Sequence, residues 1–252
     1  MDAGADVITT NSYAVVPFHI GAERFAAQGQ TLAAEAGRQA RGVADAAVRA
    51  VKVAGSLPPV CGSYRADLFD PAEARPILEA LIAGLAPYVD HWQAETLSAI
   101  EEAELVREVL GAESKPLWLS FTLQDEPPGP AGPCLRSGQT VAEATAAAIR
   151  LNATAILFNC SQPEVMGAAV ETARRVLAAA GAGLPIGVYA NAFPPQGDEA
   201  EANSTLHPIR ADLTPEGYLA FARDWRAKGA GIIGGCCGIG PEHIAALRAE
   251  LG

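Results

Sequence analysis

Ala155-Ile156-Leu157-Phe158-Asn159-Cys160-Ser161-Gln162-Pro163-Glu164 reads as a buried strand that runs straight into a helix. The apolar run is too short for a helix and shows no polar alternation, as expected of a strand covered on both faces. Pro163 then stands where a first helical residue tolerates proline, with Glu164 in the first turn. The same order of signals recurs along the chain. Further strand candidates are residues 7–10, 51–55, 89–94, 117–122, 186–190 and 231–234. Helix starts are marked by Asp70-Pro71-Ala72-Glu73, Thr214-Pro215-Glu216 and Gly240-Pro241-Glu242, and helix ends by Gly181 and Gly229.

Seven strands, each followed by a helix, predict an α/β fold of the (β/α)8 TIM-barrel type, with a doubly wound open sheet as the alternative. Such a barrel closes with eight strands. The opening run Ala3-Gly4-Ala5-Asp6 reads as the turn into a strand, so the strand-helix unit that is short is expected at the N-terminus. Residues 1–252 are read as a single barrel domain, with residues 125–137 and 193–210 as long loops after strands.

Composition narrows the function classes. Half of the residues are hydrophobic, 19% are charged and the formal net charge is −11, an ordinary globular balance. Without clustered Lys and Arg, a nucleic-acid partner is excluded. No apolar run reaches the ~18 residues of a membrane helix, and the N-terminus lacks the regions of a signal peptide, so a cytoplasmic location is expected. The five cysteines, two of them adjacent, do not form a disulfide framework.

Cys160 closes one strand candidate; Cys236 and Cys237 close another. Strand C-termini of a barrel meet at one face, so these three thiols are expected to converge there. Glycines on both sides of the adjacent pair let the backbone turn sharply. Three thiolates form a soft ligand set that favours Zn2+, and three protein ligands leave a tetrahedral site one position open, as in a catalytic zinc. The competing reading is three small core residues. Cys61 and Cys134 fall in loops without partners. His91 falls in a strand, His19 and His207 in loops and His243 in the last helix, none at metal-like spacing to another histidine. Gly238-Ile239-Gly240 lacks the spacing of a nucleotide-phosphate loop.

Gly234-Gly235-Cys236-Cys237-Gly238, with Asn159-Cys160 upstream, resembles the zinc motif of the homocysteine S-methyltransferase family. Gly4-Ala5-Asp6-Val7-Ile8-Thr9-Thr10-Asn11-Ser12-Tyr13, Ala54-Gly55-Ser56-Leu57, Glu95-Thr96, Ser120-Phe121-Thr122-Leu123 and Val188-Tyr189-Ala190-Asn191 agree in the same order. The resemblance implies a zinc-dependent barrel that moves a methyl group onto the sulfur of homocysteine, giving methionine. A positively charged donor fits, with S-methylmethionine, S-adenosylmethionine and betaine all open. The family's Asp-Gly-Gly-type opening segment has no counterpart here, in line with the seven-strand count. The resemblance assigns Glu95, expected at the rim just past a strand, to the substrate's amino group. Thr10, Asn11 and Ser12 end another strand and either bind the carboxylate or serve as turn and cap residues; Asn191 is a further rim candidate. Action on another thiol or selenol, and a non-catalytic zinc-binding barrel fragment, are the alternatives. An open barrel edge favours pairing with a second copy of the chain.

Overall fold

One parallel sheet contains all seven strands, and their spatial order is the order of the chain. In the computed structural model, which describes residues 1–195 and 208–252, the strands are β1 Val7–Thr9, β2 Lys52–Leu57, β3 His91–Leu97, β4 Leu117–Phe121, β5 Ala155–Asn159, β6 Ile186–Tyr189 and β7 Ile232–Ile233. Helices α1 Pro17–Ile20 and α2 Ala22–Asp45 follow β1. Helices α3 Pro71–Leu85, α4 Ile100–Leu110, α5 Val141–Arg150, α6 Pro163–Ala180, α7 Pro215–Lys228 and α8 Pro241–Leu251 each follow one later strand. A doubly wound sheet would reverse its strand order part-way. This one does not, and it curls: Tyr189 on β6 bonds Glu95 on β3, three strands away, which a flat sheet forbids. No ladder joins β1 to β7 among the described residues. Instead α8 reaches the start of β1, where Arg248 Nη1 lies 3.1 Å from Asp6 Oδ2.

Local chemistry explains the element boundaries. Asp70 accepts hydrogen bonds from Ala72 N at 2.8 Å and Glu73 N at 3.4 Å, capping α3 ahead of Pro71. Thr140 and Glu143 cap α5 reciprocally, and Gly181 ends α6 at φ 64. The sheet's outer face is apolar: Val53, Trp92, Leu117, Leu119, Ile156, Phe158, Ile186 and Val188 pack beneath the helices. Its inner face is polar, carrying Ser56, Gln93, Glu95, Ser120, Asn159 and Tyr189.

The polar face moves two strands from their expected places. β2 and β3 extend to Leu57 and Leu97, past the expected ends at 55 and 94, because Ser56, Glu95 and Thr96 find hydrogen-bond partners inside the curl. Glu95 is therefore within β3 rather than on the rim beyond it. β7 keeps two residues, and His19, expected in a loop, lies in the short helix α1. His207 lies outside the described residues. No described helix is long and apolar enough to cross a membrane.

Helices α2 and α3 touch at Gly84, where an added Cβ would stand 2.5 Å from Gln30 O and 2.9 Å from Ala33 Cβ. Gly42, also in α2, faces open space. Gly84→Ala is therefore expected to cost about 1–3 kcal/mol through overpacking. Gly42→Ala should leave stability unchanged or add up to about 1 kcal/mol. Urea unfolding of the two variants checks the contrast.

Candidate metal centre

β6 organises the site. At its last paired residue and just past it the backbone keeps accepting bonds from both neighbours. Cys160 N donates to Tyr189 O at 3.2 Å, and Cys236 N donates to Ala190 O at 3.0 Å. Ala192 N then donates to Cys237 O at 2.8 Å, fixing the far side of the Cys pair. Cys160 follows β5 in a left-handed conformation, φ 54, unusual for a residue with a side chain and found where neighbouring structure over-determines it. Gly235 lies against Ile239, whose side chain a Cβ would overlap, so this turn admits only glycine there.

The three sulfurs gather within 4.8 Å of one another. Cys236 Sγ lies 3.2 Å from Cys160 Sγ and 3.9 Å from Cys237 Sγ. Ligands about 2.3 Å from a tetrahedral zinc stand roughly 3.8 Å apart, so this spacing fits a metal with little movement. Cys160 is buried, Cys236 half-buried and Cys237 exposed.

Charge is unevenly shared in the cluster. Hydrogen bonds from Cys160 and then Cys236 hold Cys237 as a thiolate, drawing its pKa down to about 3. At Cys160 a bond from Cys236 favours the thiolate. The bond to Cys237, burial and the Cys237 charge outweigh it and push the thiol up to about 12. Hydrogen bonds to Cys160 and Cys237, with burial, raise Cys236 as well. One negative charge forms readily; a second and third need a cation to balance them. A soft divalent metal would supply that balance, and the donor set suits one.

Below the thiols, the inner face of the sheet forms a connected polar network. Glu95 Oε1 accepts from Ser56 Oγ at 2.6 Å, and Oε2 from Gln93 Nε2 at 3.1 Å and Tyr189 OH at 3.2 Å. Burial raises its pKa against these three donors, and among the described residues no cation pairs with it. Asn159 Oδ1 accepts from Thr96 N at 2.9 Å and Ser120 Oγ at 2.8 Å, while Nδ2 donates to Thr96 Oγ1 at 2.8 Å. Those bonds hold Thr96 at φ 61, where β3 shifts register against β4 between Ala94 and Leu97. Tyr64, after β2, brings its hydroxyl to 2.9 Å from Cys160 Sγ. It also lines a cleft of about 890 Å3 with Arg65, Asp67, Glu101, Arg136 and Gln139. A hollow of similar size, about 840 Å3, lies among Met1, Val43, Val48 and Arg248, and neither lining includes a thiol.

The other expected site residues divide. Thr10 Oγ1 and Ser12 Oγ bond each other at 2.9 Å and β2 at Ser56 N and O, which ties the loop after β1 to β2. Asn11 is exposed. Asn191 is buried on the continuation of β6; its Oδ1 accepts from Gln162 Nε2 at 3.3 Å and Phe193 N at 3.2 Å, and its Nδ2 has no hydrogen-bond partner among the described residues. Cys61 and Cys134 join no metal-holding group among the described residues. His91 lies tilted against Trp118, its pKa lowered by burial to about 4, and His243 accepts from Gly240 N at the start of α8. Sequence reasoning gave no role to Tyr64, Gln93, Asn159 or Tyr189. The one available signal was a polar residue, Asn159, ending an otherwise apolar strand.

Comparison with known proteins agrees with this geometry. The family model for homocysteine S-methyltransferase matches residues 1–251. The Escherichia coli homocysteine S-methyltransferase is 31% identical over 267 residues, covering 98% of this chain and 80% of that one. The Arabidopsis thaliana homocysteine S-methyltransferase 3 is 28% identical over 159 residues, covering 62% of this chain and 42% of its own length. The crystal structure of an Escherichia coli homocysteine methyltransferase in its oxidized form superposes with a TM-score of 0.72 at 28% identity, over 98% of this chain and 80% of that one.

Beyond the Thr96 bend, Glu102 opens α4 fully buried, accepting from Ser98 N at 2.5 Å and Ala99 N at 2.9 Å. Burial outweighs those donors and pushes its pKa up to about 7 from 4.5. The folded state thus holds this proton more tightly than the unfolded chain. The stabilisation is complete below about pH 4.5 and is lost as pH rises through about 7. Wild type minus Glu102→Gln should therefore lose stability between about pH 4.5 and 7, by on the order of 3 kcal/mol. Urea unfolding across that range gives the difference; a flat difference contradicts the assignment.

Proposed function

The chain belongs to the homocysteine S-methyltransferase family, and from that membership and its three converging thiols we propose that it transfers a methyl group from a positively charged donor to the thiol of homocysteine, at a zinc ion held by Cys160, Cys236 and Cys237. The spacing of the three sulfurs, all within 4.8 Å, carries this reading. We read residues 1–252 as one domain on the (β/α)8 plan, one unit short.

Zinc in such a site supplies Lewis acidity, which keeps a substrate thiol deprotonated at neutral pH. The chain's own residues do the rest. Glu95, a buried carboxylate with three neutral donors and no cation among the described residues, accepts the substrate's ammonium. Asn191 Nδ2, a buried donor without a partner among the described residues, is the candidate for its carboxylate. The hydroxyls of Thr10 and Ser12 are already bonded, so we assign them to holding the loop after β1. The cleft lined by Tyr64, whose hydroxyl meets Cys160 Sγ, is the approach we assign to the donor.

In the reaction the thiolate attacks the donor methyl carbon in line. A new carbon–sulfur bond forms as the bond from methyl to the donor's sulfur or nitrogen breaks. The electron pair of the broken bond stays on that heteroatom, which leaves uncharged, and methionine forms. No proton moves in this step, so no general base is required. The transition state disperses positive charge beside a thiolate cluster, which favours a sulfonium or quaternary ammonium donor.

The test is metal analysis alongside methionine formation from homocysteine with each of the three donors. One zinc per chain and turnover with at least one donor are expected, and both should be lost in Cys236→Ala. Zinc without turnover contradicts the transferase reading, and absence of zinc contradicts the whole proposal. Glu95→Gln should keep the zinc and raise KM for homocysteine about tenfold or more, through loss of a charge-assisted bond.

A further inference from the structure

We propose that Tyr64 is a positioning residue for the metal centre: its phenol donates a hydrogen bond to the Cys160 thiolate, and a buried Arg136–Asp125 pair holds the phenol there. The inference rests on the reading that Cys160 binds zinc.

Of the three thiols, Cys160 is the one closed off from water. A thiolate in that position has to be solvated by the protein, and an unsolvated one binds metal less well. Tyr64 OH stands 2.9 Å from Cys160 Sγ. A thiolate has no proton to give, so in the metal-loaded protein the tyrosine is the donor. Several features fix the phenol in place. Tyr64 has φ 65, a conformation that bulky residues rarely adopt. The Arg136 guanidinium lies over its ring, 5.1 Å from the centroid. Arg136 Nη2 in turn lies 2.8 Å from Asp125 Oδ2, with the two side chains only 3% and 1% exposed.

Asp125 closes the circuit. Its other oxygen accepts from Gln162 N at 2.9 Å, two residues beyond Cys160. The path Cys160–Gln162–Asp125–Arg136–Tyr64 therefore returns to the sulfur where it began. It binds the loop after β4 and the loop after β2 to the end of β5. A positive guanidinium against the ring also makes the phenol a stronger donor. Neither Tyr64, Arg136 nor Asp125 is required to touch the substrate; they act on the charge and placement of one ligand.

Cobalt(II) is the probe, since it occupies thiolate sites of this kind and its sulfur-to-metal charge-transfer band reports the charge on the sulfur. Tyr64→Phe keeps the ring against Arg136 and removes only the donor. Its charge-transfer band should move to longer wavelength with the ligand-field bands unmoved, and cobalt affinity against a competing chelator should fall about tenfold. A fluorinated tyrosine at position 64, a stronger donor of nearly the same size, should move the band the opposite way. Opposed shifts distinguish a donor from a packing role, because packing gives no such sign change. A band unmoved in both proteins overturns the inference alone. Failure of the wild-type chain to bind cobalt overturns it together with the metal reading.

Discussion

Two consecutive carbonyls, Tyr189 O at the end of β6 and Ala190 O just past it, hold the site together. One accepts from Cys160 N and the other from Cys236 N, so thiols 76 residues apart in sequence hang from adjacent residues at the end of β6. The arrangement depends on register. Side chains alternate across a sheet, so a one-residue slip of β5 or β7 against β6 would turn its cysteine to the helix side. The apolar outer face guards against that slip, because Ile156, Phe158, Ile186 and Val188 are buried beneath helices and a slip would exchange them for Asn159 and Tyr189. Packing on one side of the sheet thereby fixes chemistry on the other.

That inner side departs from the usual filling of a parallel barrel, where branched apolar residues dominate. Here Ser56, Gln93, Glu95, Ser120, Asn159 and Tyr189 are bonded to one another. Such a network is tolerable only when its members are satisfied. The exception is one of charge: Glu95 has donors but no counter-ion among the described residues, and the thiols above it gain negative charge only at rising cost. Both features call for positive charge from outside the chain, which a metal, a substrate ammonium and a cationic methyl donor each bring.

Much of this was legible in the sequence, and the reasons differ by feature. β5 was legible because an apolar run meets Pro163 almost at once. α3, α6, α7 and α8 begin at the prolines that announced them. The cysteine cluster was legible because parallel strands followed by helices share a C-terminal face, so ligands can be paired without knowing distances. The displaced ends of β2 and β3 were not, since Ser56, Glu95 and Thr96 look like loop residues until the curl supplies partners from β5 and β6. Thr10 and Ser12 resembled ligand groups for the same reason; their bonds to β2 become visible only in three dimensions. Tyr64 lies in a connecting segment with no periodicity, and only the folded chain brings its hydroxyl to Cys160.

On the proposed reading, three thiols of this chain hold one zinc with a fourth position open to the substrate sulfur. X-ray absorption at the zinc edge addresses it most directly. Three sulfur neighbours at about 2.3 Å are expected in the zinc-loaded protein, becoming four when homocysteine is added. Fewer than three sulfurs, or a first shell unchanged by homocysteine, would contradict it.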